Sequence, residues 1–114
     1  KDGFNRAESI RLIPDDDPLY AVVPALRSAA GHGVTAGTFG KWNADLRRIV
    51  GTQPRMALAG VSTDCCVIAT ALPAADAGAS VRVMAAACAG STAENGERAL
   101  AAMELFGPQI TVVR

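Results

Sequence analysis

The sequence predicts a three-layer α/β fold built on a parallel β-sheet. Two observations predict it. Three apolar segments of strand length, residues 55–61, 80–85 and 109–113, alternate with two helical segments, and all the connections between them are short. Strands that alternate with helices in this way run parallel and are joined by right-handed crossovers. The length of 114 residues suits one small domain, residues 1–114, with a modest core.

The first strand is predicted over residues 55–61 (RMALAGV), a continuous apolar run. Such a run is typical of a parallel strand that is buried on both faces. A helix is expected to follow over residues 65–77, with Thr63 and Asp64 as capping residues and Gly78 at its end.

The second helix is predicted to begin at Ser91, because Ser91 and Glu94 have the spacing of a capping box. It is expected to bury four residues at helical spacing: Ala99, Leu100, Met103 and Phe106. Gly107 and Pro108 end this helix, and the third strand follows.

The part of the chain before the first strand is less regular. Residues 15–18 (DDDP) have the composition of a turn, and Pro24 interrupts a short apolar stretch. Residues 29–40 hold four glycines and are expected to form a loop. An amphipathic helix is predicted over residues 41–50, ended by Gly51. Its apolar residues at helical spacing are Trp42, Leu46, Ile49 and Val50.

Composition excludes several classes of function. Eleven basic and eleven acidic residues balance, and no basic stripe is present, so we expect no nucleic-acid partner. The longest apolar run, residues 65–75, is too short to span a membrane, and no leader segment is recognisable. Three cysteines, two of them adjacent, argue against a disulfide framework, so a reducing, cytoplasmic location is expected.

The candidate chemistry lies where the first strand ends. In open parallel sheets, sites form outside the carboxyl ends of the strands. Cys66 falls in the first turn of the predicted helix, where unpaired N–H groups and the helix dipole favour a thiolate and can hold an oxyanion. The alternative is core packing, which is the more common role of buried cysteines and is expected for Cys65 and Cys88. No metal site is expected, because adjacent cysteines rarely chelate one zinc and His32 is the only histidine.

Residues 60–71 (GVSTDCCVIATA) resemble the signature of the isochorismatase-like cysteine hydrolases. That family includes isochorismatases, nicotinamidases and N-carbamoylsarcosine amidases. The similarity continues through residues 75–78 and 88–91, and residues 35–42 (TAGTFGKW) resemble the active-site loop of one branch. The resemblance implies that the chain is the C-terminal half of a doubly wound, Rossmann-like sheet.

The resemblance also implies roles for individual residues. Cys66 matches the family nucleophile, and Val61-Ser62 matches a non-proline cis peptide that directs N–H groups toward the substrate oxygen. The N–H groups of Ser62 and Cys66 would then be the oxyanion donors. Three further residues match or resemble substrate-binding positions: Phe39, Trp42 and Thr70. For Trp42 an apolar helix face, and for Thr70 helix packing, remain the alternatives.

Two catalytic partners of the family are not matched. The family triad is aspartate, lysine and cysteine; the aspartate ends a strand that has no counterpart in this sequence. Residues 27–34, where the lysine is expected, contain none. His32 is a possible substitute, whereas Lys41 is expected to be a solvated helix residue. Pro73 also departs from the pattern, because it removes a hydrogen bond inside the nucleophile helix.

The leading hypothesis is a cysteine-dependent hydrolase that cleaves the amide C–N bond or the isochorismate-type vinyl ether of a small molecule through Cys66. It implies no cofactor, a small-molecule substrate and a homo-oligomer. The first alternative is a non-catalytic remnant of such a hydrolase with a packing or assembly role, which the missing aspartate and lysine favour. A third hypothesis, an anion-binding α/β module, lacks a glycine-rich phosphate motif.

Overall fold

The described part of the chain, residues 21–22 and 24–114 of a computed structural model, contains a three-stranded parallel β-sheet. The strands are β1 (Arg55–Val61), β2 (Ser80–Ala89) and β3 (Ile110–Val113). The helices are α1 (Pro24–Arg27), α2 (Ala44–Val50), α3 (Ile68–Asp76) and α4 (Ala93–Glu104), and a π-helical turn, Thr63–Val67, leads into α3. The prediction of an α/β fold with a parallel sheet is confirmed. The predicted turn at residues 15–18 lies outside the described residues.

The chain divides into two units, Lys1–Gly33 and Val34–Arg114. The described residues of the first unit include α1, which begins at Pro24, a residue whose fixed φ and missing N–H suit the first helical position. The second unit contains the sheet and the remaining helices. No helix of the described residues is long and apolar enough to cross a membrane.

The sheet has the order β1-β2-β3 and an irregularity at the carboxyl end of β1. Leu58 pairs with Val83, but Gly60 pairs with Cys88, so one residue of β1 faces four residues of β2. As a result, β2 extends to Ala89 rather than ending at Ala85 as predicted. The register shift brings Cys88 beside the point at which β1 gives way to the candidate site.

The prediction that β1 is buried on both faces is wrong. Its residues alternate between exposed and half-buried, and Arg55, Ala57 and Ala59 lie on the exposed side. The core lies on the other side, where residues of α3, α4 and the three strands form one apolar cluster. In the described residues, helices therefore cover only one face of β1, although most residues on both of its faces are apolar.

The core is made largely of alanine, with a few larger side chains. Its largest fully buried residues are Met103, Ile110, Val81, Val83 and Thr63. The predicted burial of Ala99, Leu100 and Met103 on α4 is confirmed, but Phe106 is 47% exposed. The helix ends at Glu104, so Phe106 lies in the following turn and leaves the buried helical face.

Both predicted helix starts outside the nucleophile segment are displaced. The N-cap of α4 is Thr92, whose hydroxyl accepts a hydrogen bond from Asn95 N–H at 3.0 Å, so the capping box at Ser91 is wrong. The N-cap of α2 is Asn43, whose side chain accepts from Leu46 N–H, so Trp42 precedes the helix. The side chains that cap both helices lie one or two positions after the predicted starts, and each closes the first turn.

Candidate active site

The segment from β1 to α3 contains the nucleophile candidate. Gly60 has a φ of +132°, a conformation that L side chains rarely adopt, and the Val61–Ser62 peptide bond is cis. A π-helical turn, Thr63–Val67, follows. The prediction of an α-helix from Cys65, capped by Thr63 and Asp64, is therefore wrong: no side chain caps the turn, and the α-helix begins at Ile68.

The hydrogen bonds of Ser62 explain the wide turn. Its carbonyl accepts from both Cys65 N–H at 3.0 Å and Val67 N–H at 3.1 Å, and the second bond spans five residues. A bond of that span defines a π-helix, a form that occurs mostly as single turns and frequently at functional sites. Cys66 lies between the two bonded residues.

The two predicted oxyanion donors, the N–H groups of Ser62 and Cys66, are not the ones that close the turn on Ser62. The N–H of Cys66 bonds to neither Ser62 nor Val61, and the N–H of Ser62 has no hydrogen bond among the described residues. Neither donor therefore closes the wide turn, and both lie at the end of β1, in the same segment as the Cys66 side chain. Their role as an oxyanion hole stays a prediction.

Cys65, Cys66 and Cys88 are all free thiols, and all three are half-buried. Cys88 packs against the core cluster. No side chain in the described part of the chain forms a hydrogen bond with the Cys66 thiol. Accessibility alone therefore does not distinguish Cys66 from the other two cysteines. Cys66 differs from them because it lies between Cys65 and Val67, the two residues whose N–H groups bond to Ser62.

Thr70 joins the nucleophile turn to the loop before α2. Its hydroxyl donates to the Cys66 carbonyl at 2.8 Å and accepts from Lys41 N–H at 2.9 Å, and the residue is 3% exposed. Both hydrogen bonds of the hydroxyl are thus made within the protein, which supports the packing role. The substrate-binding role of Thr70 stays a prediction.

A close backbone contact lies beside this bridge. A Cβ atom at Gly40 would stand 2.7 Å from the Ala69 carbonyl oxygen. Pro73 lies inside α3 and has no N–H to donate to that carbonyl, which is four residues earlier. The proline that departs from the family pattern therefore frees the carbonyl on which the backbone of Gly40 packs.

The expectation that Lys41 is a solvated helix residue is wrong. Lys41 precedes α2, and its ammonium donates to the carbonyls of Ala36, at 3.2 Å, and Thr38. These bonds close the loop of residues 36–41 on itself. Hydrogen bonds from a charged ammonium to loop carbonyls are stronger than neutral ones, and they stabilise the loop conformation.

Two of the predicted substrate-binding residues differ in exposure. Phe39 is 68% exposed and stands on the loop that Lys41 closes. Trp42 is half-buried against the core, with the Arg47 guanidinium 6.0 Å from its ring centroid. Trp42 therefore fits the alternative of an apolar packing residue, and Phe39 has free surface for a ligand. In the first unit, His32 is exposed.

Asp64 and Ser91 form a pair that sequence reasoning missed. The Asp64 carboxylate accepts from Ser91 N–H at 2.8 Å and from the Ser91 hydroxyl at 2.5 Å. These bonds, the hydroxyl first and the amide second, lower the pKa of Asp64 below its ordinary value of 3.8. Both residues look like helix caps in the sequence, and 27 positions separate them, so no local signal shows that they meet.

One cavity, of about 370 Å³, lies away from these residues, between the C-terminal half of α3 and the turn after α4. Leu72, Pro73, Asp76, Phe106 and Gln109 are among its lining residues, and none of them bonds to the nucleophile turn. The geometry at the end of β1 is the better guide to chemistry, because a thiol and the two predicted backbone donors lie in one short segment there.

The chain matches a family model described as the isochorismatase domain over residues 5–113. Among solved structures, the pyrazinamidase of Pyrococcus horikoshii in complex with zinc is 34% identical, with a TM-score of 0.60. The match covers 70% of this chain and 45% of the pyrazinamidase, so the chain spans less than half of that enzyme's length. No curated protein matches the chain.

Two more solved structures extend the likeness. An isochorismatase family protein from Desulfovibrio vulgaris has a TM-score of 0.72 and 25% identity, over 86% of this chain and 53% of its own. The nicotinamidase/pyrazinamidase of Bacillus subtilis has a TM-score of 0.71 over 93% of this chain and 66% of its own. At 23% identity, the Bacillus structure bears on the fold alone.

The zinc of the Pyrococcus enzyme has no matching ligand set in the described residues, which contain no group of three or more His, Cys, Asp or Glu side chains placed to hold a metal ion. The signature at the end of β1, the parallel sheet and the family match over residues 5–113 lead to one conclusion: the chain belongs to the isochorismatase family.

Proposed function

We propose that the chain is part of a hydrolase that cleaves the C–N bond of a small amide, with Cys66 as nucleophile. One observation carries the proposal: the Cys66 thiol lies in a turn that the N–H groups of Cys65 and Val67 close on Ser62, while the N–H groups of Ser62 and Cys66 take no part in that closure. A thiol in the same turn as two such donors can attack a carbonyl whose oxygen the donors hold. The 34% identity to a pyrazinamidase supports an amide as substrate.

The proposed reaction has two halves. In the first, the Cys66 sulfur bonds to the carbonyl carbon and the C–N bond breaks, so that ammonia leaves with the thiol proton and a thioester remains. In the second, water attacks the thioester, releasing the carboxylic acid and restoring the thiol. The negative charge on the oxygen in each tetrahedral intermediate would be held by the N–H groups of Ser62 and Cys66.

No described side chain bonds to the Cys66 thiol, so none is placed to take the thiol proton and pass it to the leaving ammonia. This observation favours a second candidate, a non-catalytic relative with a packing or assembly role. The two candidates differ in one respect that can be measured, the turnover of substrate.

Two substrate classes fit a hydrolase of this family: small amides and isochorismate-type vinyl ethers. The exposed aromatic ring of Phe39 suits stacking against a flat heteroaromatic amide. The pyrazinamidase likeness favours a flat heteroaromatic amide.

Ammonia release from pyrazinamide and nicotinamide tests the proposal, with pyruvate release from isochorismate measured in parallel. We expect the full chain to release ammonia from at least one amide, and the Cys66→Ala variant to release none above background. Pyruvate without ammonia would overturn the amide assignment. Turnover of none of the three would overturn the proposed catalysis and leave the non-catalytic candidate.

A further inference from the structure

We propose that Asp64 and Ser91 form a latch that positions the nucleophile turn, with Asp64 as a positioning residue rather than a catalytic one. The proposal deepens the proposed function and rests on it for the role of Cys66. The latch is defined as the two hydrogen bonds from Ser91 N–H and Ser91 Oγ to the Asp64 carboxylate.

The latch joins two segments that are distant in sequence. Asp64 lies in the π-helical turn after β1, and Ser91 lies in the short connection between β2 and α4. One carboxylate engages both the amide and the hydroxyl of the same residue, at 2.8 and 2.5 Å. A carboxylate held by two donors of one residue is fixed in orientation as well as in distance.

The Ser91 side of the latch is itself held by α4. Asn95, in the first turn of α4, donates its side-chain amide to Ser91 Oγ at 3.1 Å. A Cβ atom at Gly90 would stand 2.6 Å from the backbone of Gly96, so the connection packs directly on the helix. Thr63, which precedes Asp64, is 2% exposed, and its hydroxyl is close to Gly96. The turn is therefore anchored to a regular helix rather than to a free loop.

The position of Asp64 in the turn gives the latch its effect. Asp64 is followed by Cys65 and Cys66, and the bonds of Cys65 N–H and Val67 N–H to Ser62 close the turn around Cys66. The latch holds Asp64 at the start of the turn. It therefore also fixes the direction of the Cys66 N–H.

Charge alone does not explain an aspartate at this position. The carboxylate is ionised at neutral pH, as an aspartate ordinarily is, and the hydrogen bonds from Ser91 lower its pKa further. A negative charge two residues from a thiol disfavours the thiolate. A purely electrostatic aspartate would therefore oppose nucleophilic attack, whereas a positioning aspartate supports it through the geometry of the turn.

Two variants separate geometry from charge. Asp64→Ala removes both acceptors, whereas Asp64→Asn removes the charge and keeps an amide that can both accept from Ser91 N–H and donate to Ser91 Oγ. Asp76→Ala, at the exposed end of α3, is the matched control for loss of one carboxylate. The two measurements are amide hydrogen exchange at Cys65 and Val67 and the rate of Cys66 alkylation at neutral pH.

We expect Asp64→Ala to speed exchange at Cys65 and Val67 by about tenfold or more, with the amides of β3 unchanged, and to slow Cys66 alkylation several-fold. Asp64→Asn is expected to retain most of the protection and most of the alkylation rate, and Asp76→Ala to match wild type in both.

Unchanged exchange in Asp64→Ala would overturn the latch, and so would faster alkylation in both Asp64 variants, which is the signature of a charge effect. A failure of the proposed function looks different. In that case Cys66 of the wild-type chain would react no faster than Cys65 or Cys88, while amide exchange would still decide whether the latch exists.

Discussion

Replacing Cys66 with alanine is expected to lower the kcat of amide hydrolysis by about 10⁴-fold or more, because the nucleophile of a covalent mechanism has no substitute. The other two thiols do not share its position. Cys65 donates its N–H to Ser62, and Cys88 lies on β2, packed against the core. Cys66 is the cysteine that lies between the two residues whose N–H groups bond to Ser62.

The matched controls are Cys65→Ala and Cys88→Ala, which remove a half-buried thiol from the same chain. Both are expected to keep kcat/KM for pyrazinamide or nicotinamide within about tenfold of wild type, a change of about 1.4 kcal/mol in transition-state stabilisation. Loss of activity in Cys65→Ala equal to that in Cys66→Ala would contradict the assignment. So would a Cys66→Ala variant that remains within tenfold of wild type.

Replacing Gly90 with alanine is expected to lower the free energy of unfolding by about 1–3 kcal/mol, because the added methyl has no free space. Its Cβ would stand 2.6 Å from both the Cα and the nitrogen of Gly96 and 2.7 Å from the Thr92 carbonyl oxygen. All three are backbone atoms, so either the connection before α4 or the start of α4 must move. Chemical denaturation monitored by circular dichroism measures the change.

Gly37→Ala is the control for the glycine substitution. A Cβ at Gly37 meets no atom within 4 Å, and its φ lies outside the left-handed region. We expect the free energy of unfolding of this variant to stay within about 0.5 kcal/mol of wild type. If both substitutions lowered the free energy of unfolding equally, the close contact between Gly90 and Gly96 would not be the cause of the destabilisation.

The order of strands and helices was predictable because its signals are local. Apolar runs mark β1 and β3, and Gly51 and Gly78 mark helix ends, within a few residues in each case. The extension of β2 to Ala89 was not predictable, since it depends on a register shift against β1. The exposure of one face of β1 was not predictable either, because its alanines are apolar whether or not a helix covers them.

The candidate site also has features that the sequence predicts and features that it does not. The position of Cys66 follows from strand, signature and turn, all contiguous in sequence. The bonds around it do not, since Thr70 bridges to Lys41 across 29 positions and Asp64 meets Ser91 across 27. In the folded chain Ser91 bonds to Asp64, and Thr92 rather than Ser91 is the N-cap of α4. The oxyanion donors, the role of Phe39, the homo-oligomer and the cytoplasmic location stay predictions.

The most direct test of the central claim is competitive alkylation of the native protein at neutral pH with limiting iodoacetamide. Fragmentation of the peptides by mass spectrometry distinguishes Cys65 from Cys66, and Cys88 serves as an internal reference because all three thiols are half-buried. Cys66 is expected to react at least about tenfold faster than either, and urea-unfolded protein to show no preference. Equal rates in the folded chain, or faster reaction at Cys65 or Cys88, would contradict Cys66 as the activated nucleophile.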